Sequence, residues 1–508
     1  MLTSERVDVP RLTPDSSGRR LQLAATVLGL LGALFAVAVP FLPVVQETAA
    51  ISWPQGGDTA AVNAPLAAFQ AQEITATIPC AAADSLDARS PNPAPLLSTV
   101  PPAAPDGSAV GMVALVADGN LTVSSRGQVL GGILLPPGPC DITLRSTVDV
   151  TTASVGGQQF VAMQDDVRPQ ITGIYTDLDE TLDPVDGLGV QITPDTRFQS
   201  TPHLVKAAGI LLAFAAVIAA LVLLHRLDVR VGRRAPRWLP PRWWLPTGRD
   251  TVVIAVLAVW VVIGGITSDD GYILTMIQAR ADTGYIGNYY RWFNVPEAPF
   301  GWPYELYAVW AQLSTSPPWL RLPSFAMGVV SWLLISREVL PRLGREVRRS
   351  RAAAWAAASV FLAFWLPYNN GLRLEPVVAI GSLLALCAVE RAVATRRVTP
   401  IALGLLAVTF TVAATPTGFI AVAPFLVGGR PLLLLLRRHA EASGWAAVLA
   451  PILGSGLLVL IMIFADQTWA GVLEATRLRT AVGPSLSWYE EPTRYLSLIH
   501  ISEPTRPY

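Results

Sequence analysis

The chain reads as a polytopic α-helical membrane protein with an all-β sandwich placed between its first and second spans, and three observations predict this. Of its 508 residues 52% are hydrophobic and 15% charged, with a mean hydropathy of +0.45, and the apolar residues fall in long runs. Arginine is segregated: the formal net charge is zero, yet a few short loops between apolar runs hold dense clusters of it, which sets topology. Between residues 46 and 203 the long runs give way to short alternating segments punctuated by proline, glycine and small polar residues. An ordinary soluble protein is excluded, and no nucleic-acid partner is expected.

Residues 1–20 are polar and end in Arg19 and Arg20, just ahead of the apolar run 21–45. A signal peptide has an apolar core of about 7–15 residues and a small-residue cleavage site, whereas this run is nearer the ~20 residues of a span. It reads as an uncleaved first helix entering from the cytoplasm. Residues 46–203 follow as the β domain, with Leu121 and Val123 after Asn120, Ile142 and Leu144 after Asp141, and regular turn signals. Cys80 and Cys140 lie here and Cys387 in a later apolar run. In an oxidising compartment the first pair reads as a disulfide; the other reading is two buried free thiols.

Residues 204–495 are read as the membrane domain. The run 204–224 leads into seven arginines between Arg226 and Arg249, a cytoplasmic loop by the positive-inside rule. Residues 251–266 return outward, and 322–340 come back to Arg342, Arg345, Arg348, Arg349 and Arg351. The runs 352–365, 377–389, 401–414, 419–427 with the leucines after it, and 445–465 continue the alternation. That makes nine candidate spans, none of which shows a charge that reads as buried. The polar turns 268–316, 367–376, 415–418 and 466–468 therefore share an outer face with the β domain.

The chemistry concentrates in residues 268–302. Asp269 and Asp270 follow directly on a span, with tyrosines, tryptophans including Trp302, an arginine and Glu297 close behind. Carboxylates at a bilayer surface, backed by ring-stacking side chains, suit a site that deprotonates and holds a sugar beside a lipid. The alternative is a pair of helix caps at the water interface. In the turn PYNNGLRLEP, Asn370 adds a polar group, and Arg373 and Glu375 are the only charges. An outer-face arginine runs against the positive-inside bias and needs an anion, either a lipid phosphate or Glu375. His203, His225, His439 and His500 are scattered, so no metal is expected.

At these residues the sequence resembles a known family. SDDGYILTM, NYYRWF, PEAPFGW, RLP, SREVLPRLG, WLPYNNGLR, FADQT and LEATRLRTAVGPSLSWYEEP are similar to the mycobacterial arabinosyltransferase (Emb-type, ethambutol-target) family, from the first span to about residue 495. The resemblance implies a GT-C glycosyltransferase architecture with a jelly-roll-like outer domain, multi-pass in the plasma membrane. It implies transfer of D-arabinofuranose from decaprenylphosphoryl arabinose to the arabinan of arabinogalactan or lipoarabinomannan. Carried over by residue, Asp269 is the expected general base. Asp270 and Tyr272 are expected to shape the substrate site, Glu297 and Gln467 to line the donor and ethambutol pocket, and Met276 to lie at the drug pocket; read from the residues themselves, Trp302, Asn370 and Arg373 are expected to bind substrate as well. No cofactor is expected here, since the family's calcium site belongs to a further outer domain. An acyl carrier protein at the cytoplasmic arginine loop and a homo- or heterodimer with a paralogue are further expectations.

Family members are longer, so the chain alone is expected to be inactive, and the other reading is a non-catalytic, membrane-anchored arabinan-binding or assembly subunit. Residues 496–508, LSLIHISEPTRPY, depart from the family and read as a translated sequencing adapter. They are set aside, and His500 with them.

Overall fold

The computed structural model describes residues 16–46, 50–63, 71–101, 107–230, 243, 245–265, 268–283, 286, 300–368 and 370–482. Glu297, the arginine loop 231–242 and the segment 496–508 lie outside the described residues.

Small residues decide how the membrane helices meet. The first helix, Ser16–Ala38, buries Ala25, Gly29, Gly32, Ala33 and Ala36 rather than its leucines. A Cβ on Gly29 would overlap the backbone of Ala450 and Pro451, and one on Gly32 the side chain of Val217. The first helix thus lies between Leu204–Arg230 and Trp445–Leu457 at backbone contact, which is how helices associate where lipid removes the hydrophobic incentive. Leu23, Leu30 and Leu34 point outward, as they should toward lipid.

Each of the nine runs is mainly helical over its described residues, but Val44 and Val45, expected within the first span, are strand, Gly264 and Gly265 lie beyond the helix of the run 251–266, and the runs are not equivalent. Ser16–Phe41, Leu204–Arg230, Pro317–Leu343, Glu375–Thr395 and Trp445–Phe464 are each long and apolar enough to cross a membrane. Gly248–Ile263 has 16 residues, and 351–367 and 399–412 are shorter apolar helices. The run 419–427 with the following leucines, expected as one span, is a bent pair of helices: Pro416–Val427 and Gly429–Ser443 meet at 65°. Pro424 and Pro431 withhold backbone donors on either side of Gly428 and Gly429, so the helix cannot continue. Beyond the bend Leu432, Leu435, His439 and Ser443 are buried, while Arg430, Arg437, Arg438 and Glu441 face out, the pattern of an amphipathic helix.

The β domain is an antiparallel sandwich. A six-stranded sheet runs in the order Gln158–Met163, Thr151–Val155, Asp141–Thr147, Ala71–Pro79, Gly189–Pro194, Ile51–Trp53. It faces a four-stranded sheet, Ala94–Ser98, Met112–Ala117, Asn120–Ser125, Gln128–Leu134. Leu121, Val123, Ile142 and Leu144 all enter the shared core, because period-two alternation puts every second side chain on one face. Cys80 and Cys140 are bonded, with Cα atoms 5.3 Å apart. Where the chain enters and leaves the domain, Val44–Gln46 pairs with Ser200–Pro202, so both connections to the membrane helices pass through one two-stranded ribbon.

The expectation that no span buries a charge is wrong. Lys206, Asp228, Asp250 and Arg321 are each at most 4% exposed. They are tolerated because helix ends leave backbone groups unpaired, and each charge meets such groups. Asp228 accepts from the amides of Val398 and Thr399 at the start of Thr399–Val412. Asp250 closes a capping box with Thr247, accepts from Trp332 at 2.9 Å and pairs with Arg337 at 2.7 Å.

Asp250 gives a direct test. Asp250→Ala leaves Arg337, the Trp332 indole and the Thr247 amide without their shared acceptor, which should cost ~3–5 kcal/mol. The unfolding midpoint in detergent micelles is expected to fall sharply, and less for Asp250→Asn, whose amide oxygen still accepts. Unchanged midpoints in both variants would remove this network from the account of stability.

Candidate active site

Two helix ends make the centre. Gly248–Ile263 stops at Gly264, where a Cβ would overlap the Asn370 amide. Its last carbonyls are not left bare: Arg321 donates to Val261 at 2.8 Å and to Gly265 at 3.2 Å. The next helix, Ser268–Thr283, begins almost at once with Asp269 and Asp270 in its first turn, where the N-terminal dipole favours negative charge. Facing it is the start of Glu375–Thr395, again with an acid, Glu375, in the first turn.

Arg373 sits between these two ends. It is 3.2 Å from Asp269 and 3.2 Å from Glu375, so one guanidinium bridges both carboxylates. Their side chains remain 49% and 45% exposed, open to a ligand. Asp270 turns the other way and accepts from the Leu372 amide at 2.8 Å, an approach that requires glycine at 371 because a Cβ would overlap its carboxylate. A small cavity of about 80 Å³ beside it is lined by Asp270, Thr315, Leu320, Arg321 and Leu372 among others. Asp269, Asp270, Asn370 and Arg373 are thus brought together.

Beneath them lies a hydrophobic floor. Met276 is fully buried with Ile273, Ile277, Tyr307, Leu320, Leu372 and Leu374, and Tyr272 packs against this cluster half-buried. Over its described residues the stretch 268–316, expected as an outer turn, is largely two helices, Ser268–Thr283 and Trp302–Ala311. Trp310 and Trp319 close its far end, stacked at 4.3 Å with each indole donating to the other's carbonyl.

Trp302 and Gln467 belong to a second locus. Asp269 and Arg280 are eleven positions apart on one helix, so this locus starts ~16 Å along the axis. Here a cavity of about 470 Å³ is lined by Arg280, Trp302, Glu305, Phe410 and Asp466 from the membrane domain and by Ser200–Pro202 from the β ribbon. Gln467 is only 2% exposed, and its amide donates to Phe198 and to the Ser200 hydroxyl, each at 2.9 Å. Lys206 donates to the Gln467 carbonyl at 2.7 Å and to Leu42 at 3.3 Å. Gln467 therefore stands behind the cavity and ties it to the β domain, while its neighbour Asp466 faces it.

Arg280, Glu305 and Asp466 escaped the sequence reading. Asp466 stands one residue from Gln467 in FADQT, and Arg280 and Glu305 form an ion pair across 25 positions, which no local periodicity marks. Burial, with Glu305 as a like-charged neighbour, pushes the Asp466 carboxyl up to about 6. Among the described residues no group of three or more His, Cys, Asp or Glu side chains is placed to hold a metal ion.

Comparison with known proteins agrees in both domains. A family described as mycobacterial cell wall arabinan synthesis protein matches residues 201–504, a range that runs into the segment set aside at the C-terminus. An arabinosyltransferase concanavalin-like domain matches residues 45–197. The probable arabinosyltransferase C of Mycolicibacterium smegmatis is 43% identical over 511 residues, covering 97% of this chain and 47% of that protein. The probable arabinosyltransferase B of Mycobacterium avium is 44% identical over 498 residues, covering 94% and 45% respectively. The cryo-EM structure of arabinosyltransferase EmbB from Mycobacterium smegmatis superposes with a TM-score of 0.75 at 39% identity, covering 97% of this chain and 49% of that one. The chain spans about half the length of the curated relatives it matches.

Asp466 sets a pH dependence. Its folded value near 6 lies above the ordinary 3.8, so between these values the folded chain keeps a proton that the unfolded chain has released. Stability from this group is therefore lost as pH rises through about 4 to 6. Glu305, Lys206 and Arg280 are the charges that act on it. Thermal unfolding across that window should show the decline in the wild type and a flatter profile in Asp466→Asn; identical profiles would contradict the burial of this carboxyl.

Proposed function

The chain belongs to the family of mycobacterial cell-wall arabinan synthesis proteins, and we propose that a protein containing it transfers arabinofuranose from a polyprenyl-phosphate donor to an arabinan acceptor. The observation that carries this reading is the bridge Asp269–Arg373–Glu375 at two opposed helix N-termini, half-exposed beside a membrane domain. Asp269 takes the proton of an acceptor hydroxyl as its oxygen attacks the anomeric carbon. The bond from that carbon to the phosphate oxygen breaks, and the phosphate leaves carrying the electron pair. Arg373, already oriented by two carboxylates, is the cation placed to stabilise that phosphate. Inversion follows from a single displacement, and Asn370, whose amide lies against Gly264 just ahead of the Asp269 helix, is a polar contact for the sugar.

Topology supports an outward-facing reaction. The second long helix starts beside the β ribbon and ends at Arg226 and Arg230, so the positive-inside rule supports a β domain and an Asp269 that face outward. The family's description as cell wall arabinan synthesis proteins supports an arabinan acceptor, and we infer that of arabinogalactan or lipoarabinomannan. Because the relatives are about twice as long, the chain by itself is proposed to lack turnover.

A second reading is a glycan-binding subunit without catalysis, favoured by the match of residues 45–197 to a concanavalin-like domain. One substitution separates the two. In a full-length protein, Asp269→Asn should lower transfer from a synthetic polyprenyl-phosphate arabinose by about 10²-fold or more while glycan binding is retained. Arg373→Gln should also cut transfer, by about 10²-fold. Wild-type rates in both variants would leave only the binding reading.

A further inference from the structure

We infer that the cavity between Trp302, Phe410 and Asp466 is a second sugar subsite, which holds a neutral, hydroxyl-rich furanose unit of the acceptor glycan away from the Asp269–Arg373 centre. This rests on the transfer reading above for the identity of the glycan, though not for the site itself.

Size and shape come first. At about 470 Å³ the cavity falls in the ~300–1,000 Å³ range of small-molecule sites, with mostly apolar walls and a few convergent polar groups. Trp302 is immobilised. Its indole N–H donates to the Phe410 carbonyl at 3.0 Å, and the two rings meet edge to face at 5.4 Å. An indole held in one rotamer gives a C–H-rich ring face a flat apolar partner without losing side-chain freedom on binding.

Charge then selects the ligand class. Arg280 and Glu305 pair with each other and cancel, which leaves Asp466 as the remaining charged group of the lining. Behind the wall, Lys206 directs its ammonium at the carbonyls of Gln467 and Leu42. The lining therefore carries between zero and one negative charge. A phosphate would meet two carboxylates, and a strong cation would meet Arg280. A polyol can accept from the guanidinium and donate to both carboxylates, so neutral hydroxyls suit every polar group present.

Position gives the subsite its use. One wall is Ser200–Pro202, the strand that leaves the β domain, and another is Arg280, on the same helix as Asp269. The cavity thus lies between the exit strand of the β domain and the helix that carries Asp269.

The test measures binding, so it is independent of turnover. The chain in lipid nanodiscs is titrated with a synthetic linear oligo-arabinofuranoside and, separately, with farnesyl phosphate as an anionic lipid probe. Trp302→Ala should weaken the oligosaccharide about tenfold and leave farnesyl phosphate within about twofold, with Trp302→Phe restoring most of the loss. Should Trp302→Ala lose both probes through misfolding, Asp466→Ala decides, with the same tenfold loss expected for the oligosaccharide alone. Oligosaccharide affinity unchanged in the folded variants, or farnesyl phosphate as the probe that is lost, overturns the subsite. Wild-type transfer by Asp269→Asn together with glycan loss in Trp302→Ala would instead reject the catalytic reading and keep the subsite.

Discussion

A helix that ends inside an apolar bundle leaves its last carbonyls, and one that begins there its first amides, without partners, and no water is available to supply them. This structure meets that constraint with charged side chains. Arg321 seals the end of Gly248–Ile263 at Val261 and Gly265, Asp228 seals the start of Thr399–Val412, and Asp250 holds the start of Gly248–Ile263 while anchoring Arg337. The position of Asp269 follows from the first of these. Only because the guanidinium of Arg321 takes up the freed carbonyls can one helix stop at Gly264 and the next begin at Ser268, which presents two aspartates at a helix N-terminus.

The same device joins the domains. Lys206, at the start of the second long helix, ties the carbonyl after the first helix, Leu42, to the carbonyl of Gln467 in the turn after Val459–Phe464. Gln467 extends this outward to Phe198 and Ser200, and the Ser200 hydroxyl donates back to the Asp466 carbonyl at 2.7 Å. The β sandwich is therefore fixed on the bundle at the turn that supplies Asp466 to the large cavity. A substitution at Gln467 would act on that cavity indirectly, by loosening its wall, since the amide itself points away from the space.

What could be read in the sequence was local. Leu121, Val123, Ile142 and Leu144 declared a sandwich because alternation is a property of neighbouring residues, and all four are buried in its core. Arginine clusters gave the order of the helices for the same reason. Asp269 and Arg373 were legible as an acid at a span end and an arginine on the unexpected face. The Asp270 contact to Leu372 crosses 102 positions and the Trp302 contact to Phe410 crosses 108, and neither has a sequence signal. Arg321 read as part of a short motif, and the Val261 and Gly265 carbonyls it donates to stand 60 and 56 positions away, brought to it only by the fold. The bend after Val427 was written in Pro424, Gly428, Gly429 and Pro431, but the apolar run around them hid it.

Under the proposed transfer, the triple Asp269–Arg373–Glu375 does more than place a base and a cation near each other. Before reaction the guanidinium divides its N–H groups between two carboxylates. As the acceptor proton reaches Asp269, that carboxyl becomes neutral and its claim on Arg373 weakens, while negative charge grows on the departing phosphate. Arg373 can then shift its interaction from the carboxyl to the phosphate, held throughout by Glu375, whose charge does not change. Protonation of the base and stabilisation of the leaving group are coupled through one side chain, which supplies positive charge at the moment it is needed without a separate reorganisation. Glu375 is in this view the anchor that keeps Arg373 from following the phosphate out, which explains why the arginine is given two anionic partners where a simple ion pair would need one.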